Sequence, residues 1–470
     1  MAKPKKELLD SPNPSLLREI VKSRLPLIPA KYPTKPTPVH IANNFVSLAM
    51  GTGSMSAELK LWVREQGVLS GLFQGSGENL QKDSDSLQEL LRAIFDSDGN
   101  VFRSIASPNP ISEKIIGRDP TDDGYALNLW HSLGEKNRKE ITELLQKFYQ
   151  ETGNSSSLKG LFDLLMLKSS PNSNSVQSGE TYTSVGKNVG EIIIKGLERK
   201  LNQPLHIKLE VVRQLSTLLG VFVVLGMMFD SCAEERELGP DTEPSKILGT
   251  FVYTGNIGGR SSTEQKLSMM AIMSLRDTIE RSYIGLNKVL MGMITATQET
   301  TKARNWDEFS RDFSTRYTSA QSAQDFIKYM NHFGESNMED LVESMYPLTH
   351  LRSGIRSLGT KTGFVWPSRK EDPRLVLDSN FLTSLVSFLG EEDMPIEDFI
   401  KNVHDKLGLI LGYSGISDES IVQLERIAGR RLEVRDLLLK SERYLSIRLV
   451  AAGLARQYSD GSTALLGGII

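Results

Sequence analysis

The sequence predicts a mainly α-helical protein: a multi-helical body, then a C-terminal region of helices closed by a small β-hairpin. Three observations carry that expectation. Residues 204–235 hold an unbroken helical apolar pattern, and residues 262–297 hold a second. A strand–turn–strand signal follows a helix near the C-terminus.

The first pattern reads LHIKLEVVRQLSTLLGVFVVLGMMFDSCAEE after Pro204. Asn202 suits the cap, and Pro204 the first turn, where a missing N–H costs nothing. Val211, Val212, Leu215, Leu218, Leu219, Phe222, Leu225 and Phe229 recur at steps of three and four, which places them on one helical face. Between Leu218 and Phe229 the other faces are apolar too, through Val221, Val223, Val224, Met227 and Met228. A helix apolar all round is either enclosed by protein or spans a membrane. A span needs about 20 apolar residues. This run is shorter and is bracketed by Lys208, Glu210 and Arg213 on one side and Asp230, Glu234 and Glu235 on the other, so a core helix is expected. Gly220 and Gly226 predict close approach of neighbouring helices, at some cost to the helix itself.

Bulk properties bound the rest. A chain of 470 residues suggests about three domains. A formal net charge of -3 supplies no global basic field, so any nucleic-acid contact has to be a local patch. The single cysteine, Cys232, excludes an intrachain disulfide or a cysteine-based zinc site and fits a reducing cytosol. The N-terminal MAKPKKELLDSPNP has positive charge but no apolar stretch behind it, so no signal peptide is expected. A cytoplasmic protein with no membrane partner follows as the expectation.

In chain order, residues 1–38 read as a Pro/Lys-rich tail with one short helix, Ser15–Leu25, and a run of prolines from Pro26 to Pro38. Lys3, Lys5 and Lys6 read as a solvated end. Residues 39–168 read as a helical region. One helix is capped by Ser54 or Ser56 and carries Leu59, Trp62 and Val63; others span Leu87–Phe95, Asn137–Tyr149 and Ser157–Leu167. In the third of these Ile141, Leu144, Leu145 and Phe148 point inward. The stretch from Asp96 to Leu127 is a long loop rich in Pro, Gly and Asp. Residues 169–188 form a Ser/Asn/Gly-rich disordered linker or loop that cannot repay its ordering entropy.

Residues 189–362 read as the helical core, built on the helices 204–235 and 262–297. Between them, Gly249–Arg260 reads as a glycine turn into a capped helix. Ser261 with Glu264, and Ser262 with Gln265, have capping-box spacing. Ile272, Leu275, Ile279, Tyr283, Leu286, Leu290 and Met293 form the apolar stripe of the second helix. Arg276–Glu280 and Asp277–Arg281 are spaced for ion pairs on its wet side, and Met269, Met270, Met273, Met291 and Met293 read as gap-filling core. Further helices are expected at Trp306–Tyr317, Ala320–Phe333 and Met338–Met345, before a polar boundary at Gly359–Asp372.

Residues 363–470 form the last region. Helices are expected at Ser379–Leu389, at Met394–Leu407 with Ile396, Phe399, Ile400, Val403 and Leu407 on its apolar face, and at Ser441–Ala452. Leu454–Tyr458 and Thr463–Leu466 read as strands around a Ser459-Asp460-Gly461 turn. The order helix, helix, helix, hairpin, with Gly453-Leu454-Ala455-Arg456 and then Tyr458-Ser459-Asp460-Gly461, resembles a winged helix, the wing-bearing relative of the helix-turn-helix. The chain departs from that pattern in the thirty or so residues from Gly408 to Lys440, which insert a further helix, Ser420–Ala428, and the pair Arg430 and Arg431. The resemblance implies a third helix that enters the DNA major groove through Arg443, Ser446, Ile447 and Arg448. Arg456 and the residues around Asp460 would then approach the phosphate backbone. Winged helices also serve as protein–protein modules, so residues 440–466 are expected to meet double-stranded DNA or a partner protein.

Catalytic motifs are missing. Thr254–Ser262 is glycine-rich but lacks the lysine and the spacing of a phosphate loop. His404-Asp405 has the look of a metal phosphohydrolase pair without its companion ligands. The calcium-loop start at Asp119 has Trp130 where the bidentate glutamate belongs. Glu58-Leu59-Lys60 has nuclease spacing but sits in a helical pattern, and His131 reads as structural. No catalytic residue, cofactor or metal is therefore expected. The function expected is a non-catalytic helical subunit of a multi-protein, DNA-associated prokaryotic system, of the kind used in anti-phage defence. A ligand-sensing transcription regulator, or an enzyme with an unfamiliar site at Asp96–Leu127 or Gly255–Arg260, is the alternative.

Overall fold

The computed structural model describes residues 25, 27–28, 37–49, 124–153, 184–201, 205–239, 242–256, 259–302, 348–367, 372–429 and 432–467. The fold is mainly α-helical with a few short strands. Helices α1 (Pro38–Ala49), α2 (Tyr125–Ser132), α3 (Glu135–Gly153) and α4 (Ser184–Lys200) precede the long central α5 (Leu205–Glu235). Then come α6 (Pro244–Ile247), β1 (Thr250–Phe251), α7 (Ser262–Lys302) and α8 (Leu348–Lys361). The C-terminal part runs β2 (Val365–Trp366), β3 (Arg374–Leu375), α9 (Ser379–Leu389), β4 (Glu392–Pro395), α10 (Ile396–Leu407) and β5 (Leu409–Ile410). It ends with α11 (Asp418–Ala428), α12 (Val434–Ala451), β6 (Ala455–Gln457) and β7 (Thr463–Leu466).

The apolar pattern of α5 finds its reason in its surroundings. Leu218 to Phe229 are buried without exception, and α1, α4, α7, α8 and α9 all pack against this helix. It is long and apolar enough to cross a membrane, yet 94% of that stretch is enclosed by the protein. Gly220 lies against Pro38 at the start of α1 and Thr362 just past the end of α8, as expected of a close approach, whereas Gly226 faces Leu27, which belongs to no helix. A main-chain approach of the two longest helices is made at another glycine. Gly285 of α7 lies against the Ser231 carbonyl of α5, flanked by Cys232 Sγ 3.3 Å from Ser282 Oγ.

Local signals hold at the start of α7. Ser261 Oγ accepts from Glu264 N (3.2 Å), while Ser261 N donates to the Glu264 carboxylate (3.1 Å), a closed capping box. Of the expected wet-side pairs, Asp277 reaches Arg281 (4.0 Å), while Arg276 and Glu280 each find another partner. Arg276 pairs with Asp372 (3.1 Å) and Glu280 with Arg352 (3.9 Å). Arg281 is buried, and its guanidinium donates to the carbonyls of Ile247 and Leu248 at the end of α6. Met270 is core, whereas Met269 is exposed. The linker expected to reach residue 188 stops sooner: α4 begins at Ser184, because Val189, Ile192, Ile193 and Leu197 bury one face of it.

The largest departure lies at Gly249–Arg260. Its first half is an extended strand. β1 pairs in parallel with β5, through Thr250 N to Gly408 O (3.1 Å) and Val252 N to Ile410 O (2.9 Å). On its other side Tyr253 N donates to Leu375 O (2.9 Å) and Leu377 N to Tyr253 O (3.1 Å). Thr250 to Thr254 are all buried, as suits a strand enclosed on both faces. This segment ties the helical body to the C-terminal region. One apolar cluster runs from Leu27 through Leu225 to Phe388 and Leu465, so the core continues across residue 363.

Asp230 is an exception within α5. It is buried, and its Oδ2 has no hydrogen-bond partner among the described residues. Burial, and then the neighbouring Glu234, push its carboxyl up to about 8. A carboxyl raised in the folded state contributes stability that is fully present below the unfolded value near 4. That contribution is lost as pH rises towards about 8. Asp230→Asn carries no such loss but buries an amide that needs its own partners. It is expected to destabilise by about 1 kcal/mol at pH 4 and to stabilise by about 1–2 kcal/mol at pH 8. Denaturant midpoints across that range test the crossover, and parallel curves for the two proteins would refute it.

The expected helices at 15–25, around 59–63, and at 87–95, 157–167, 306–317, 320–333 and 338–345 lie outside the described residues. So do Lys3, Lys5 and Lys6, residues 96–123 of the long loop, and Arg430 and Arg431.

Candidate interaction surface

The C-terminal region is assembled from elements whose ends are chemically marked. Asp378 caps α9, its carboxylate accepting from Phe381 N (2.7 Å). Gly408 ends α10 in the left-handed region at φ 63, donating its N–H to His404 O (2.7 Å). The three terminal strands form an antiparallel sheet in the order β4–β7–β6, with Ala455 opposite Leu465 and Gln457 opposite Thr463. The hairpin turn is the one expected: Tyr458 N donates to Ser462 O (2.9 Å), and Asp460 accepts from Ser462 N (2.9 Å).

The helix expected at Ser441–Ala452, α12, starts at Val434 and not at Ser441. Val434, Leu437, Leu438, Ser441, Leu445 and Leu449 bury one continuous face, which extends it by two turns into the expected connection. That face is bolted to the strand after β1. Ser441 Oγ lies 2.6 Å from Thr254 Oγ1 and donates to Leu411 O (2.7 Å). Arg448 donates through Nη1 to Thr254 O (2.9 Å) and through Nη2 to Leu377 O (2.6 Å). Burial holds its guanidinium below the usual arginine range, with Asp378 acting in the opposite direction. Arg448 therefore faces the core, away from the surface on which the sequence grouped it with Arg443.

Arg443 and Ile447 stand on the outward face, and Ser446 lies beside them with its Oγ donating to Glu442 O (3.1 Å). Arg456 is exposed on β6, but its charge is engaged. Its Nη2 donates to Asp393 (3.2 Å) and to Tyr458 Oη (2.8 Å), and its guanidinium stacks 4.9 Å above the Tyr458 ring. Between α12 and the hairpin runs a groove of about 690 Å³, where Leu439, Arg443, Ile447, Val450, Gln457 and Glu397 meet. Leu439 is 54% exposed, Ile447 56% and Val450 37%. Ile447 was expected on the outward face, but Leu439, Val450 and Glu397 were not legible as a surface in the sequence. Leu439 falls off the buried stripe only once the true start of α12 is known.

Charges around the groove follow from the pairings. Glu442 is consumed by Tyr413 N (3.0 Å), Ser414 N (2.9 Å) and Ser414 Oγ (2.8 Å). Arg199 pairs with Glu391 (3.4 Å), Arg435 with Glu425 (3.5 Å) and Lys440 with Asp436 (2.6 Å). Glu392, Glu397 and Asp398 are exposed and make no ion pair with the described residues.

No family model, curated protein or solved structure matches this chain. Its function has to be argued from these residues.

The remaining candidates do not converge. The helix start after the glycine segment is filled by the chain's own Glu264 carboxylate, which takes the place an anion would occupy. His404 is buried, and its two ring nitrogens have no hydrogen-bond partner among the described residues. Its neighbour Asp405 points out and pairs with Lys401 (3.7 Å). His131 Nδ1 lies 3.2 Å from Arg138 Nη1. Among the described residues no group of three or more His, Cys, Asp or Glu side chains is placed to hold a metal ion.

Proposed function

We propose that this chain is a non-catalytic helical subunit of a multi-protein assembly, and that its C-terminal region is a winged-helix-type docking module. The observation that carries this reading is the outward face of α12, where Leu439, Ile447 and Val450 stand exposed in a groove beside the hairpin. A helix that reads base edges presents hydrogen-bonding side chains there, with cations placed for phosphates. Here Arg448 is turned into the core, Arg456 is neutralised by Asp393, and carboxylates crowd β4 and the start of α10. The sheet order, with the last strand between the other two, supports the winged-helix assignment. β5 and α11 are an insertion between its second and third helices.

The second reading is duplex DNA contact through Arg443, Ser446 and Arg456, favoured by the exposure of both arginines, one on α12 and one on the hairpin. One comparison separates the two. The tagged full-length chain and its Ile447→Asp variant are purified from the native host, with and without nuclease. The docking reading expects a fixed set of partner proteins that survives nuclease and is lost from the variant. Partners retained by Ile447→Asp would overturn it. The DNA reading expects nuclease-sensitive nucleic acid, and a salt slope that falls by about one unit in Arg443→Ala.

A further inference from the structure

We propose that His404 is an acid-sensitive latch between α10 and the helical body, and that its protonation opens the joint at which β5 pairs with β1. α10 buries Ile396, Phe399, Ile400, Val403, His404 and Leu407. It packs against α4 and α6 of the body and against α9, β4, β5 and β7 of the C-terminal region. His404 is 3% exposed, and neither ring nitrogen has a hydrogen-bond partner among the described residues. A neutral imidazole held this way leaves one donor and one acceptor unmet. Protonation adds a second donor and a full charge, which burial makes costly.

The residue lies one turn before the joint. Gly408 donates its N–H to His404 O (2.7 Å), and Gly408 O accepts from Thr250 N (3.1 Å). Ile410 O then accepts from Val252 N (2.9 Å). Bringing a charged ring to water therefore displaces the residues that hold β5 to β1.

The surrounding charges supply no partner for an imidazolium. α9, β5 and β7 carry no titratable side chain. On α4, Glu191 is held by Lys406 (3.4 Å), Arg199 pairs with Glu391 (3.4 Å), and Lys187, Lys195 and Glu198 are exposed. Lys246 of α6 pairs with Glu243 (2.9 Å). On β4, Glu392 is exposed and Asp393 takes Arg456 (3.2 Å). On α10 itself Glu397 and Asp398 are exposed, and Asp405 points out to Lys401 (3.7 Å). Asp230, buried on α5, acts with Glu234 and not with His404. Burial holds the ring below the usual histidine range, with Asp405 acting in the opposite direction.

The sign follows. A released ring titrates near its ordinary value of about 6.5, so the open joint binds the extra proton first as pH falls. Opening is favoured about tenfold per pH unit below that value, until the closed form is protonated too.

The test is amide hydrogen exchange of the full chain at about pH 7.5 and about pH 5.5, corrected for the intrinsic pH dependence of exchange. Wild type is compared with His404→Phe and His404→Gln. Wild type is expected to lose about tenfold in protection over residues 396–410 and 250–253 at the lower pH, while residues 218–229 of α5 keep theirs. Both variants hold constant protection, and His404→Gln preserves the readout if the larger ring of His404→Phe does not fit. Asp230 titrates in the opposite sense but equally in all three proteins, so the comparison cancels it. Equal loss in wild type and variants, no loss in wild type, or loss that spreads to α5 would each overturn the latch.

Discussion

Gly285→Ala is expected to destabilise the helical body by about 3 kcal/mol or more, from the addition of a single methyl group. An alanine at an exposed helical position normally stabilises, by up to about 1 kcal/mol relative to glycine. Here the methyl would overlap the Ser231 carbonyl and approach Glu235 N (2.9 Å), both main-chain atoms of α5. No rotamer change relieves such a clash, so the two long helices have to separate. Separation also strains Cys232 against Ser282, and Lys288 Nζ on Glu235 O (2.7 Å). Gly292 on the same helix is the control. Nothing lies within 4 Å of a methyl there, so Gly292→Ala is expected to be neutral or stabilising by up to about 1 kcal/mol. Chemical denaturation of both variants decides the matter. Equal midpoints for Gly285→Ala and Gly292→Ala would show that α5 and α7 do not touch in this way.

Arg448→Ala is expected to cost about 2–3 kcal/mol, the scale of leaving buried acceptors without their donor. The substitution strands the carbonyls of Thr254 and Leu377, each 0% or nearly so exposed in the segment joining body and C-terminal region. A buried acceptor left without a donor costs about 1–3 kcal/mol, and the vacated guanidinium leaves a cavity beneath α12. Arg448→Lys is expected to recover only part of the loss, because one ammonium cannot fork between two carbonyls. Arg443→Ala, five residues earlier on the outward face, should change stability by no more than about 0.5 kcal/mol. If Arg448→Ala instead leaves unfolding unchanged and selectively weakens duplex binding, the inward placement of this side chain is wrong.

These two residues mark where the sequence was legible and where it was not. Gly220 and Gly226 drew attention because they interrupt the most apolar run, yet the close helix contact uses Gly285, which sits in an ordinary amphipathic stripe. A glycine's neighbours across a helix pair leave no mark on its own flanking residues. Arg448 stands one turn after Tyr444 and five residues after Arg443 on what reads as one basic helix face. Which of the two arginines points inward is decided by the carbonyls of residues 254 and 377, far away in the chain. Of the candidate surface, the helix, the hairpin and Arg443 were readable. The apolar groove was not, because it depends on where α12 begins and on how the hairpin packs beside it.

By itself the sequence determined the helices and turns whose signals are local. α5 follows from steps of three and four, the start of α7 from Ser261 and Glu264, α9 from its apolar run, and the hairpin from Ser459-Asp460-Gly461. Each is a property of contiguous residues, and the hydrogen bonds that close it are made within a few positions. Tertiary structure alone decided that Thr250–Phe251 is a strand, that Arg281 is buried and Arg448 turned inward, and that Leu439 and Val450 stand on the outward face of α12. A two-residue strand has no period of its own. Its donors and acceptors are completed by segments more than a hundred residues away, and those of Arg281 and Arg448 by carbonyls 33 to 194 residues away, which only packing brings together.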